Sequence, residues 1–335
     1  MAGYNSVKRI LKRSKEEVKA SLMIAKKTSV KDALAVFNAK IEIQKMVRNG
    51  FQEPPKVKKK LIRKHKALLS YFNQVYKEYA KSYDFDMPLP EDESENRECV
   101  WICWWQGLDQ APDIVKACVQ AIRNNCHTHK VVVITDENYK QYVNIPEWLE
   151  EKKERGIISK THFSDLLRLS LLAEHGGIWL DSTLFCTESI DDLFRLPVWS
   201  IRRDHYKHAS VACGKFANYA LGCNYENRRI FAVIRDFWIH YWTMHDMLID
   251  YLMTDYIIVL VQKYDPRIKE AFRKIEANNP ACDELLNVLG QPFDEKKWTE
   301  MKSETTLFKL TWKADFPEEI DSNMTFYGKI LGGIL

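Results

Sequence analysis

The stretch THFSDLLRLSLLAEHGGIWLDST, from Thr161 to Thr183, changes its period halfway along. Up to His175 its leucines recur at helical spacing. After the Gly176-Gly177 pair only a short apolar run, Ile178 to Leu180, precedes Asp181. A helical pattern stopped by glycines and followed by a buried strand predicts one half of a βαβ unit. Asp165 and Arg168 stand three residues apart, on one face of an otherwise leucine-lined helix. Three readings of this pair stand side by side. It is a surface salt bridge worth about 0–1 kcal/mol, or Ser164 or Asp165 caps the helix start, or the pair binds a ligand rich in hydroxyls. The leucines leave little solvated face, and a semi-buried ion pair is costly unless it binds something. At the strand's end, alternation puts Asp181 and Thr183 on one face and Ser182 on the other.

Working outward, CVWICWW (Cys99–Trp105) and KVVVIT (Lys130–Thr135) read as two further buried strands. Helices are expected over 111–125 and 146–155, a helix-rich region over 227–261, and a last apolar strand over 306–313. Strands alternating with helices predict an α/β fold with a mainly parallel central sheet. In such sheets ligands bind beyond the carboxyl ends of the strands. The first strand ends in Trp104, Trp105, Gln106 and Gly107: aromatic faces for a base, an amide for its edge, and a glycine for close approach. The second ends at Thr135 and Asp136, and the third at Asp181 and Thr183.

Charge divides the chain. Residues 1–83 hold 21 Lys/Arg against 6 Asp/Glu, a net +15, whereas the remainder holds 29 against 40, a net −11. We therefore expect a basic helical region over 1–83, with a continuous helix over 5–50 and a break at Asn49–Lys56. An acidic, proline-bearing linker over 84–98 and one large domain over 99–335 follow. No signal peptide is visible, and the apolar window Met247–Val261 contains Asp250 and Asp255 and falls short of a membrane span. The eight Cys form no CxxC pair and read as the reduced thiols of a cytoplasmic protein. No phosphate-loop, dinucleotide, zinc-protease or esterase fingerprint occurs, and His127 and His129 read as a solvated turn.

These motifs together resemble a known family. The pattern S-D-x-x-R, a helix, G-G-[IVLM]-[WY]-x-D-x-[TD] is similar to the DXD-motif sugar transferases. The block ending in DST, with WWQG at the first strand and KLTWK at Lys309–Lys313, most resembles the bacterial capsular polysaccharide synthesis glycosyltransferases. The resemblance covers about residues 99 to 333. It implies a GT-A-type nucleotide-sugar-binding fold and a nucleoside-diphosphate sugar donor, with UDP-sugar as the default. It also implies a growing glycan or lipid-linked oligosaccharide as acceptor, and retention at the anomeric carbon.

By motif, Trp104–Gly107 would hold the base, Asp165 with Arg168 the donor sugar, and Asp181 the diphosphate or its metal. Lys309, Trp312 and Lys313 would close over the diphosphate. Thr183 stands where a second acid is usual. A divalent Mn²⁺ or Mg²⁺ is expected on Asp181, held more weakly for want of that acid. The basic region is either a solvated face or a device for docking on an anionic membrane surface, which would place the protein peripherally on the inner face of the cytoplasmic membrane. Two competing readings are a nucleic-acid-binding protein using the basic arm and a catalytically dead assembly scaffold. The few arm aromatics, bunched at Tyr71–Tyr83, and the acidic remainder argue against nucleic acid.

Overall fold

The computed structural model describes residues 2–48, 52–92 and 94–335, with side chains from residue 15 onward. Three helices come first: α1 (Ala2–Lys27), α2 (Val30–Arg48) and α3 (Pro55–Ser82). The continuous helix expected over 5–50 is broken at Thr28-Ser29. There the Ser29 hydroxyl accepts from the Asp32 amide at 3.1 Å and donates to the Asp32 carboxylate at 2.8 Å, a cap that starts a new helix. Of the break expected over 49–56, residues 49–51 lie outside the described residues. α3 begins with Pro55 in its first turn, where the missing N–H costs nothing.

The α/β part runs β1 (Val100–Cys103), α4 (Asp113–Asn124), β2 (Val131–Ile134), α5 (Glu147–Glu154), α6 (Lys160–Glu174), β3 (Gly177–Leu180), β4 (Leu184–Cys186), β5 (Trp199–Ser200) and β6 (Ala220–Cys223). Then come α7 (Arg229–Met244), α8 (Met253–Tyr264), α9 (Pro266–Arg273), α10 (Glu284–Val288), α11 (Glu295–Lys302), β7 (Leu307–Lys309) and α12 (Phe326–Leu331). The central sheet has the order β2-β1-β3-β6-β5. β1 pairs in parallel with β2 and β3, while β6 runs antiparallel to its neighbours β3 and β5. A mixed α/β architecture with a mainly parallel sheet is therefore present. Gly177 opens β3 at φ 87°, and a Cβ there would collide with the Cys99 carbonyl, so the close approach of β3 to β1 requires glycine.

The strand expected over 306–313 is shorter and sits elsewhere. β7 spans three residues and pairs with β4 in a separate two-stranded sheet, Leu184 opposite Lys309. Leu310 adds one more bond, to the Thr183 carbonyl at 2.9 Å. Beyond it Thr311 accepts from the Lys313 amide at 3.1 Å, a local turn that ends the pairing.

α6 lies at the centre of the molecule, with eleven of its fifteen residues buried, including Asp165 and Arg168. One apolar cluster joins it to α7, α8 and α3. Phe72 of α3 stacks on Tyr256 of α8 at 5.4 Å, and Tyr76 meets Phe237 of α7 at 5.3 Å. The 84–98 segment has no helix or strand among its described residues but is pinned throughout. Arg228 donates to the Pro90 carbonyl at 2.7 Å, His175 meets Asp92 at 2.6 Å, and the Asp92 amide donates to the Tyr225 hydroxyl at 2.6 Å.

Candidate active site

At the carboxyl end of β3, four charged side chains form a chain of alternating sign. Arg168 donates to Asp165 Oδ1 at 2.8 Å and, through its other branch, to Asp181 Oδ1 at 3.1 Å. Lys309 stands 3.5 Å from Asp181 Oδ2 and also hydrogen-bonds the Thr183 hydroxyl. Burial is graded along the array. The side chains of Asp165 and Arg168 are 11% and 6% exposed, whereas Asp181 is 33% exposed and Lys309 24%. The inner pair is thus desolvated and the outer pair faces solvent, an arrangement suited to a polar ligand entering from outside.

Each member has a structural reason for its place. Asp165 and Arg168 are fixed by α6, which is capped by Ser159 accepting from the His162 amide. The readings of Ser164 or Asp165 as the cap, and of the pair as a surface bridge, do not hold: the helix starts at Lys160 and the pair lies inside it. Asp181 and Thr183 are not on the strand, as alternation predicted, because β3 ends at Leu180 and the chain turns, Leu184 N donating to the Asp181 carbonyl at 2.9 Å. They nonetheless come together, because the β4–β7 pairing brings Lys309 between them.

The other expected residues fall into two groups nearby. Trp105 donates its indole N–H to Ser164 at 2.9 Å, next to Asp165 in the chain, and Asp136 forms an ion pair with Lys160 at the start of α6. Trp104 meets Trp312 edge to face at 5.6 Å, with its own indole N–H buried and unpaired. Gln106 is exposed, Gly107 holds φ 82°, and Lys313 is exposed with its ammonium 5.9 Å from the Trp312 ring. His127, expected on a solvated turn, is exposed and meets Asp191 at 2.9 Å. All eight cysteines are free. Burial pushes the Cys103 thiol, near Ser164 and Asp181, far above its ordinary range, which argues against a nucleophilic role.

Several residues at the site were not expected from sequence. Asn218, just before β6, donates to Asp165 Oδ1 at 3.1 Å, and Trp179 donates its indole N–H to Asp181 Oδ1 at 3.0 Å. Strand alternation could have found Trp179, two residues before Asp181. Nothing local marks Asn218, which arrives through sheet pairing. Arg168 Nε and Asn218 Oδ1 are both buried without a protein partner. Two surface depressions of about 610 and 630 Å³ open elsewhere, against Tyr142 and Glu174 and against α4 and Leu331, and neither includes the array.

On the α8 side, Tyr251 packs its ring edge on His162 at 5.3 Å. Asp255, half-buried one turn later, has its carboxyl pushed up to about 7 by burial first and by the charge of Asp165 second, with Arg168 opposing. A raised carboxyl binds its proton more tightly when folded, so its contribution to stability is full below the unfolded value of 3.8 and is lost as pH rises towards 7. Asp255→Asn should remove that loss. Melting curves of variant and wild type should coincide near about pH 4 and separate by about pH 8, the variant melting higher. Parallel pH profiles would contradict this account.

As a metal site the array is incomplete. Among the described residues no group of three or more His, Cys, Asp or Glu side chains is placed to hold an ion. Asp181 is a single carboxylate whose Oδ1 already serves Arg168 and Trp179 and whose Oδ2 faces Lys309. The protein alone therefore does not present a donor set for a resident Mn²⁺ or Mg²⁺.

Comparison with known proteins gives three likenesses. A family model described as capsular polysaccharide synthesis protein matches residues 48–330. The match reaches back across α3, beyond the 99–333 span carried by the sequence motifs. The O-glycosyltransferase PaGT of Phomopsis amygdali is 28% identical over 124 residues, 34% of this chain, and the chain spans only 29% of that relative. The apo structure of WbbM, a bifunctional glycosyltransferase, covers 95% of this chain and 70% of its own at 9% identity, with a TM-score of 0.39. That likeness is too loose to carry an argument.

Proposed function

Because the chain belongs to the capsular polysaccharide synthesis family, we propose that the Asp165–Arg168–Asp181–Lys309 array is the donor site of a glycosyltransferase with a GT-A-type fold. In this reading a hexosyl group moves from a nucleoside-diphosphate sugar, by default a UDP-sugar, to a growing glycan on a lipid-linked precursor. Retention of anomeric configuration is the default. The observation that carries the proposal is the graded burial of the array, with Arg168 Nε and Asn218 Oδ1 buried and unpartnered at its inner end. Buried polar groups without partners cost about 1–3 kcal/mol each, and a sugar hydroxyl can both donate to Asn218 and accept from Arg168.

Negative charge accumulates on the departing diphosphate during transfer, and preorganised positive charge there is the largest available help. Lys309 supplies it, with Lys313 beyond the Thr311 turn as a second cation. Asp165, held by Arg168 and Asn218, would accept from donor hydroxyls and fix the sugar's orientation. Trp104 and Trp312, set at right angles, would frame the base, with Gln106 and Gly107 at its edge and Trp105 and Asp136 lining the mouth. A divalent ion belongs to the proposal only as one carried in by the donor diphosphate, where it would add further neutralising charge facing Asp181.

The test is a panel of nucleoside-diphosphate sugars measured by thermal shift, with and without Mn²⁺, alongside release of nucleoside diphosphate. Stabilisation by one donor, scaling with its concentration, together with slow donor hydrolysis is expected. Mn²⁺ alone should give no saturable shift. No response to any donor would reject the site, whereas stabilisation without release would make the chain a donor-binding scaffold.

A further inference from the structure

α2 is amphipathic in an inverted sense. The face it packs inward carries the small residues Ala33, Val36 and Ala39, while Val30, Leu34, Phe37 and Ile41, spaced four, three and four residues apart, are exposed. Val30 is 67% exposed and Leu34 55%, well clear of the core, while Phe37 and Ile41, at 38% each, are partly packed at the margin of the row. α1 and α2 are joined by two residues, and Lys40 pairs with Glu17 at 2.8 Å, which makes them an antiparallel hairpin. On α1, Val18 and Leu22 repeat the pattern one turn apart at 57% and 66% exposure. Each helix of the hairpin therefore presents large apolar side chains at helical spacing to solvent, where single exposed residues are ordinary but an apolar row marks an interaction surface.

The flanking charge identifies the occupant. Lys15, Lys19, Lys26, Lys31 and Arg48 are exposed beside the row. Three of the hairpin's four acids are engaged within the fold: Glu17 pairs with Lys40, Asp32 with Ser29, and Glu42 with Lys60 at 2.7 Å. A second copy of this face would bring one strongly basic surface against another. An RNA would satisfy the lysines but leave the aliphatic row without a partner. An anionic lipid surface satisfies both, its phosphates meeting the basic flank and its acyl boundary taking the row. Among the described residues no helix is long and apolar enough to cross a membrane, so attachment by such a face is the mode this region offers.

We propose that the α1–α2 hairpin is a membrane-docking element that lies in the interface of an anionic bilayer, with Val18, Leu22, Val30, Leu34, Phe37 and Ile41 entering it. The proposal is independent of the donor chemistry, since none of these residues belongs to the array.

The test uses the full chain in vesicle flotation. Vesicles of about three parts phosphatidylcholine to one part phosphatidylglycerol should carry the protein, and phosphatidylcholine alone should not. The double variant Val30→Ser/Leu34→Ser, at the two most exposed positions of α2's row, should keep the wild-type melting temperature and lose partitioning by about tenfold or more. Lys26→Gln/Lys31→Gln should weaken binding and flatten its dependence on salt. Wild-type flotation that is absent, equal on both vesicles, or undiminished in Val30→Ser/Leu34→Ser would overturn the proposal. So would a dimer dispersed by those same substitutions, which would assign the row to a second copy, or a shift of random RNA that they abolish.

Discussion

Asp165→Asn should lower turnover by about 10²–10³-fold while leaving the protein folded, because a small misplacement of the reacting groups costs on that order. The substitution keeps the size of the side chain but removes the charge that orients Arg168 and accepts from Asn218. Breaking a buried ion pair from one side costs about 3–5 kcal/mol in general. Here the loss should be smaller, since Arg168 keeps its bond to Asp181 at 3.1 Å. Arg168→Lys gives an independent reading. A lysine keeps the charge but cannot span two carboxylates with a rigid fork, so it too should lose about 10²-fold in turnover. Both variants should lose more in kcat than in KM if the pair positions the sugar for transfer. Near-normal turnover in Asp165→Asn would return the pair to a structural role.

The array was legible in the sequence as far as its residues are local. A leucine-lined helix with one acid and one base a turn apart, stopped by two glycines before a short strand, fixes α6 and β3, and with them Asp165, Arg168 and Asp181. What joins these to Lys309 is not local, because β4 and β7 pair across more than a hundred residues of chain. Asn218 is likewise delivered by the antiparallel pairing of β6 with β3. The helix break at Ser29 was misread because apolar spacing continues through it, while a single hydroxyl–carboxylate cap decides the backbone. The largest difference concerns α3. Its positive charge suggested a docking arm, and its aromatics, bunched at Tyr71–Tyr83, were weighed as stacking surfaces for nucleic acid. Yet Tyr71, Phe72 and Tyr76 are at most 1% exposed and lie in the core around α7 and α8, so they offer no face to a base. Charge composition describes the outer face of such a helix and is silent about the inner one.

That inner face also carries the stability effect expected to be largest. Lys64 of α3 and Asp250, on the loop before α8, are 2% and 4% exposed and meet at 2.9 Å, and Asp250 Oδ1 also accepts from the Leu252 amide at 3.1 Å. Asp250→Ala leaves an ammonium buried with no counter-charge, and should destabilise the protein by about 3–5 kcal/mol. Lys64→Met/Asp250→Asn removes both charges and keeps an acceptor for the Leu252 amide, so it should recover at least half of that loss. If α3 were loosely tethered, the two sites would act additively and Asp250→Ala would cost under about 1 kcal/mol. Denaturant melts of Lys64→Met, Asp250→Asn and the double variant, beside Asp250→Ala, distinguish these outcomes. The same variants bear on the site, because Asp250 anchors the loop that holds Tyr251 against His162 beside the array. Asp250→Ala should therefore weaken substrate binding as well, raising KM in the fraction that stays folded, whereas Lys64→Met/Asp250→Asn, with the loop still tied through Leu252, should restore it.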